Sequence, residues 1–199
     1  MGSHTMDLVW NAIDATRPTS AEAEGDPVNA EVTPVKLKMT FEHPANDWRQ
    51  AIRVSWHQGG AMPESPRDYV KLDAIGHGAM FKGTKGFIIA DFDSRMIIPF
   101  GDEADMSYYK PRKKEEQFAD VGKGNFQKQW FDACKDPTKK TACDFGYSAD
   151  MIEQMLLGLV AYRVGKKIKY DGKTGTSPDT PEANSFMGKQ YREGWNIDG

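Results

Sequence analysis

Segments in which apolar and polar residues alternate at every second position are concentrated in the first half of the chain, and segments with a 3.6-residue period in the second, without regular βα alternation. Val35, Leu37, Met39 and Phe41 point one way while Lys36, Lys38, Thr40 and Glu42 point the other, which predicts a strand with one buried face and one wet face. Thr19 to Glu24 alternates likewise, with Ala21 and Ala23 opposite Ser20, Glu22 and Glu24, until Gly25-Asp26-Pro27 breaks the run. Ala51 to His57 sets Ile52, Val54 and Trp56 against Arg53, Ser55 and His57, and the preceding Pro44-Ala45-Asn46-Asp47 cluster makes it a hairpin partner. Ala79 to Lys82, Phe87 to Ala90 and Met96 to Ile98 read as a three-stranded meander, bringing the sheet to about six strands.

Helical spacing appears at both ends. Met6, Val9, Trp10 and Ile13 form one face of a short helix to about Ala15, ended by Arg17-Pro18. Phe126, Trp130, Ala133 and Cys134 line a helix from near Asn125 to Asp136-Pro137. A third helix is predicted after a Ser148 cap, with Ile152, Met155, Leu156, Leu159 and Val160 as its core stripe, closing near Gly165. Ile168 to Tyr170 adds a short edge strand, and Thr180-Pro181 opens a last helix through about Arg192. Gly59 to Tyr69 reads as an exposed loop and Asp102 to Val121 as a polar surface excursion. Strands followed by helices, without βα alternation, define an α+β class: one domain over residues 1–199, with a large, mostly antiparallel, open-faced β-sheet and helices packed on one face. Trp10, Trp130, Met151, Met155 and Leu156 then belong to the core. The uncovered face predicts a homodimer or higher homo-oligomer.

Charge narrows the partners. Lys and Arg number 26 against 29 Asp and Glu, a net charge of −3, and no window has the basic surplus that nucleic acid requires. No run approaches the roughly 18 apolar residues of a membrane span, and no leader is visible, so the default compartment is the cytoplasm, with an export signal on a longer parent left open. Cys134 and Cys143 stand without a second pair or a His at metal spacing, which gives zinc no support.

Motif chemistry is sparse. Gly83-Thr84-Lys85-Gly86 joins two strands and reads as a hairpin rather than a phosphate loop, which would open a helix. His43 and His77 read as surface or structural. Trp56-His57-Gln58-Gly59-Gly60 offers an aromatic surface, an imidazole and close backbone approach to a ligand, or simply a core Trp followed by a turn. An enzyme built on His57 alone has no nucleophile or second base at motif spacing.

Several segments in order resemble the C-terminal domain of the glucose–fructose oxidoreductase, inositol dehydrogenase and MocA family, over nearly the whole chain. They are Thr5-Met6-Asp7-Leu8 leading to Pro18-Thr19-Ser20-Ala21-Glu22-Ala23-Glu24-Gly25, the Trp56–Gly60 and Gly83–Gly86 segments, Trp130-Phe131-Asp132-Ala133-Cys134-Lys135, Leu156 to Arg163 with Gly165-Lys166-Lys167, Pro181-Glu182-Ala183-Asn184, and Tyr191-Arg192-Glu193-Gly194-Trp195.

The resemblance implies the substrate-binding and oligomerisation domain of an NAD- or NADP-dependent sugar or polyol oxidoreductase, without the Rossmann domain that holds the cofactor. It implies His4 as the catalytic base, at the His of the family's Asp-x-x-x-His motif, with the chain starting inside that motif; by composition alone Met1-Gly2-Ser3-His4 looks like a cloning remnant. It implies Trp56, His57 and Gln127 as substrate contacts, and it places Phe126 where the family commonly has a His. An imidazole titrating near neutral pH suits proton removal from a carbinol. Orientation of the reactants accounts for about 7–11 kcal/mol of such a barrier, so this chain alone is expected to be inactive and to bind no cofactor. The rival reading is a stand-alone carbohydrate-binding or scaffold protein.

Overall fold

The computed structural model describes residues 2–92, 94–101 and 126–195, and the excursion expected over Asp102 to Val121 lies outside them. The chain is α+β and divides into two compact units, residues 1–77 with 150–199 and residues 78–149. The first unit contains helix α1 (Gly2–Ala12) and strands β1 (Ser20–Gly25), β2 (Leu37–His43) and β3 (Ile52–Gln58), followed by the single-turn helix α2 (Leu72–Ile75). The second contains strands β4 (Ala79–Lys82), β5 (Gly86–Ala90) and β6 (Arg95–Pro99) and helix α3 (Phe126–Lys135). Helix α4 (Phe145–Val164) crosses the division in its first turns; β7 (Ile168–Lys169) and helix α5 (Pro181–Met187) return to the first unit.

The strands form two sheets rather than one of six. Sheet order is β3-β2-β1-β7 in the first unit and β4-β5-β6 in the second, antiparallel throughout. The break falls where the Gly59 to Tyr69 loop and α2 replace strand-forming alternation, leaving β3 as an edge.

Register fixes the two faces of the larger sheet. Ala21 pairs with Phe41 and Phe41 with Val54, while Ala23 pairs with Met39 and Met39 with Trp56. These side chains share one face with Leu37 and Ile168 and pack beneath α4 as the core. Burial of each large apolar side chain contributes about 1.5–3 kcal/mol. Val35, expected to join them, is 75% exposed. The strand starts two residues later because the Asp26 carboxylate accepts hydrogen bonds from the backbone N–H groups of Val35 (3.1 Å) and Lys36 (2.8 Å), pulling that segment out of the ladder.

The core stripe of α4 is shifted from the one predicted. Val160 is buried and Met155 and Leu159 pack partly buried against the core, as predicted, but Met151, Gln154, Leu157, Gly158 and Ala161 are buried where Ile152 and Leu156 are exposed, and Ser148 lies inside the helix rather than capping it. Gly158 selects this face: a Cβ there would stand 2.4 Å from Met39 Sδ and 2.9 Å from Phe41 Cζ, so only glycine lets the helix come this close to β2. Helix α1 begins at Gly2, earlier than predicted, and covers the same sheet face through Met6, Trp10 and the following Ile13; Gln154 donates a hydrogen bond to Met6 Sδ (3.1 Å). By contrast α3 buries no residue, and Phe126, Trp130 and Phe131 are more than half exposed, which corrects the core role expected of Trp130. Helix α5 stops at Met187 because Gly188 is extended.

Two polar devices lock α1 and the segment after it to this core. Arg17 bonds Asp150 (2.6 Å) and Glu153 (3.0 Å) of α4 and donates to the Gly172 carbonyl (3.0 Å). Tyr170 donates to Glu153, and its burial, with that carboxylate, raises the phenol above its ordinary range. His43 is 1% exposed, donates from Nδ1 to the Thr16 carbonyl (2.9 Å) and meets Trp10 edge-on. Burial holds its pKa below the usual imidazole value, a shift opposed by the Thr16 hydrogen bond and the neighbouring Gln154 side chain and assisted by the nearby Arg49 charge.

Replacing Gly158 by Val is expected to cost about 1–3 kcal/mol through overpacking, read as a lower urea midpoint with an unchanged slope. For His43 the native pKa is the lowered one, so the unfolded chain takes up the proton first as pH falls below about 6.5. Stability should therefore be complete above that pH and decline below it towards the native pKa. Urea midpoints measured between pH 8 and 5 should fall in the wild type, and a His43→Gln variant should lose this part of the slope.

Candidate functional site

The second face of the larger sheet is polar and open. Its cross-strand rows are Glu24–Lys38–His57, Glu22–Thr40–Ser55 and Ser20–Glu42–Arg53. Thr40 and Ser55 share a hydroxyl contact (3.3 Å), and Glu42 accepts from Lys167 (2.8 Å) and Ser20 (3.1 Å). Those bonds, that of Lys167 foremost, keep the Glu42 carboxyl below its ordinary pKa. Lys38 Nζ donates to Glu24 Oε1 (2.8 Å), and this bond together with the Lys38 charge lowers the Glu24 carboxyl in the same way.

The double glycine after β3 turns this end of the face into a cleft. Gly59 and Gly60 have φ of +62° and +82°, in the left-handed region that glycine alone adopts without strain. The turn closes with the Ala61 N–H donating to the Gln58 carbonyl (3.1 Å), and His57 Nδ1 donates to the Ala61 carbonyl (2.6 Å). Gln58 anchors the strand end by donating to the carbonyls of Pro34 (3.0 Å) and Val35 (3.2 Å) and accepting from Trp56 Nε1 (2.9 Å). Residues 61–64 thereby form a wall opposite Gly25-Asp26-Pro27, whose position is fixed by the Asp26 bonds already described and by Tyr162 donating to the Asp26 carbonyl (2.6 Å). The cleft encloses about 790 Å³, with Lys36, Lys38, His57 and Glu64 as its principal polar lining.

The sequence-predicted site residues do not converge. Trp56 and His57 are adjacent in the chain and opposite in space: Trp56 packs towards the helices, where a Cβ on Gly2 would stand 3.8 Å from its Cη2, and His57 faces the cleft. Trp56 is thus the partly buried core residue of the two readings weighed for this motif, whereas His57 with Gly59-Gly60 keeps the ligand-facing geometry. His4 is exposed on α1, which lies on the Trp56 side of the sheet, so His4 and His57 are on opposite sides of the four strands. Gln127 is exposed on α3 in the second unit. Sequence reading missed Lys36, Lys38, Asp26 and Glu64. Lys36 and Lys38 stood in the alternation only as the wet half of a strand; the glycine pair was the one signal that the chain folds back over them.

The chemistry open to this arrangement is hydrogen bonding, with ammonium donors beside carboxylate and imidazole acceptors. Among the described residues no group of three or more His, Cys, Asp or Glu could hold a metal ion, and none of the described helices is long and apolar enough to cross a membrane. The Gly83–Gly86 segment closes the β4–β5 hairpin through a Gly83 N–H to Gly86 carbonyl bond (2.8 Å) and does not open a helix as a phosphate loop would. Comparison with known proteins finds no matching family model and no matching curated protein.

The two glycines should respond differently to alanine. At Gly59 a Cβ would lie 2.0 Å from the Val35 carbonyl oxygen, whereas at Gly60 it meets open space. Gly60→Ala should cost only the left-handed penalty of about 1–2 kcal/mol. Gly59→Ala should cost more, by displacing the turn; thermal melts of both variants, with the His57 imidazole resonances as a reporter of the Ala61 contact, would check this.

Proposed function

We propose that this chain is the substrate-binding and oligomerisation domain of an NAD- or NADP-dependent sugar or polyol oxidoreductase, acting in the cytoplasm, with the dinucleotide held by a domain outside these residues. The observation that carries the reading is the antiparallel sheet covered on one face by α1 and α4 and open and polar on the other, in a chain whose segments resemble that family in order. Such a domain supplies a rigid platform for a small polyhydroxylated substrate and a flat face for a second copy. His4, exposed on the first helix, is the imidazole that would receive the hydroxyl proton of the substrate.

The second reading is a carbohydrate-binding protein with no redox role. It is favoured by the position of His57, which has a cleft of its own on the side of the sheet away from His4.

Three measurements on the purified chain test the proposal. Calorimetric titration with neutral sugars and polyols should show binding of about millimolar strength, near −4 kcal/mol. Nicotinamide absorbance should not change when NAD or NADP is added with the same sugars; turnover by this chain alone would place the redox site within it and overturn the division of labour. Light scattering at high micromolar concentration should report a dimer or larger assembly that weakens with salt, because the open face carries charges. A monomer throughout would remove the oligomerisation half of the proposal.

A further inference from the structure

We infer that the cleft beside His57 is a binding site for one neutral polyhydroxylated ring, a sugar or cyclic polyol, laid on the open sheet face. The inference rests on the second, carbohydrate-binding reading above, because the cleft lies on the side of the sheet away from His4, and it adds where the ligand sits, which atoms hold it and what charge it carries.

Two opposite demands of such a ligand are met here. A sugar ring has an apolar C–H face and a rim of hydroxyls that both donate and accept. Pro27, Met62 and Pro63 provide apolar surface on the cleft walls, and Met62 is 42% exposed although nothing in the core requires it to be. The rim groups are of both kinds. The side chains of Lys36 and Glu64 take part in no hydrogen bond or ion pair among the described residues, leaving an ammonium donor and a carboxylate acceptor unused. His57 commits Nδ1 to the Ala61 carbonyl, which fixes the ring and leaves Nε2 for a ligand. Lys38 commits one of its three N–H donors to Glu24.

Charge decides against an acid. The lining holds three carboxylates, of Glu24, Asp26 and Glu64, against the two ammoniums of Lys36 and Lys38. A phosphate or carboxylate entering the cleft would meet those three carboxylates and a single ammonium, Lys36, that no carboxylate already holds, whereas a neutral ring pairs its hydroxyls with donors and acceptors alike. The cleft is also prepared in advance, since the Gly59-Gly60 turn and the Gln58 and Asp26 bonds hold both walls without a ligand, which lowers the ordering cost of binding.

The test is an amide and imidazole NMR titration of the full chain with glucose and, separately, with glucuronate, its carboxylate counterpart. Expected are shifts at Glu24, Lys38, His57, Ala61, Met62 and Glu64, saturating with glucose at lower concentration than with glucuronate. His57→Ala and Lys36→Ala should each weaken glucose binding about five- to tenfold, the worth of one hydrogen bond. Arg53→Ala, on the same face outside the cleft, should leave it unchanged, and preserved spectral dispersion shows that each variant folds. Glucose shifts confined to α1 and Trp56 would overturn the placement while keeping the sugar-binding reading. Tighter binding of glucuronate would overturn the charge argument, and no shift anywhere with either probe would overturn both the placement and the sugar-binding reading.

Discussion

The approach of α4 to β2 governs the first unit. Gly158 has no side chain, so the helix backbone rests directly on Met39 and Phe41, and that contact sets which residues of α4 face inward and which sheet face is covered. Once Met39 and Phe41 are buried, the pleat forces Lys38, Thr40 and Glu42 outward, and pairing carries the same choice to β1 and β3. The polar face and its cleft lie on the side of the sheet away from this contact.

That dependence explains what could be read from the sequence. Period-two alternation located β1, β2 and β3 to within about two residues and assigned nearly every side chain to its correct face, because a residue's parity along a strand is a local property. Val35 escaped because its fate was decided by the Asp26 carboxylate, nine positions earlier in the chain. The stripe on α4 was misread because Ile152 and Leu156 look like better core residues than Gln154 and Gly158 if hydrophobicity alone is weighed. Closeness of approach, a relation between two elements distant in sequence, made the choice.

The candidate site was legible in part for the same reason. Trp56-His57-Gln58-Gly59-Gly60 stood out as a strand end with unusual chemistry, and its tight turn is what gives the cleft a wall. Treating Trp56 and His57 as joint contacts neglected the alternation that had served so well elsewhere: neighbours on a strand cannot share a face. Gln127 and His4 came from resemblance, which carries no information about which side of a sheet a residue occupies.

The division of the chain has a consequence for biosynthesis. The first unit is discontinuous, built from residues 1–77 and 150–199, with the second unit inserted between them. On the ribosome, β1 to β3 emerge long before Gly158 and Ile168 exist, so while the whole insertion is translated the apolar side of the nascent sheet has α1 but not α4 to cover it. Apolar surface exposed during that interval is what makes a partly synthesised chain prone to aggregate.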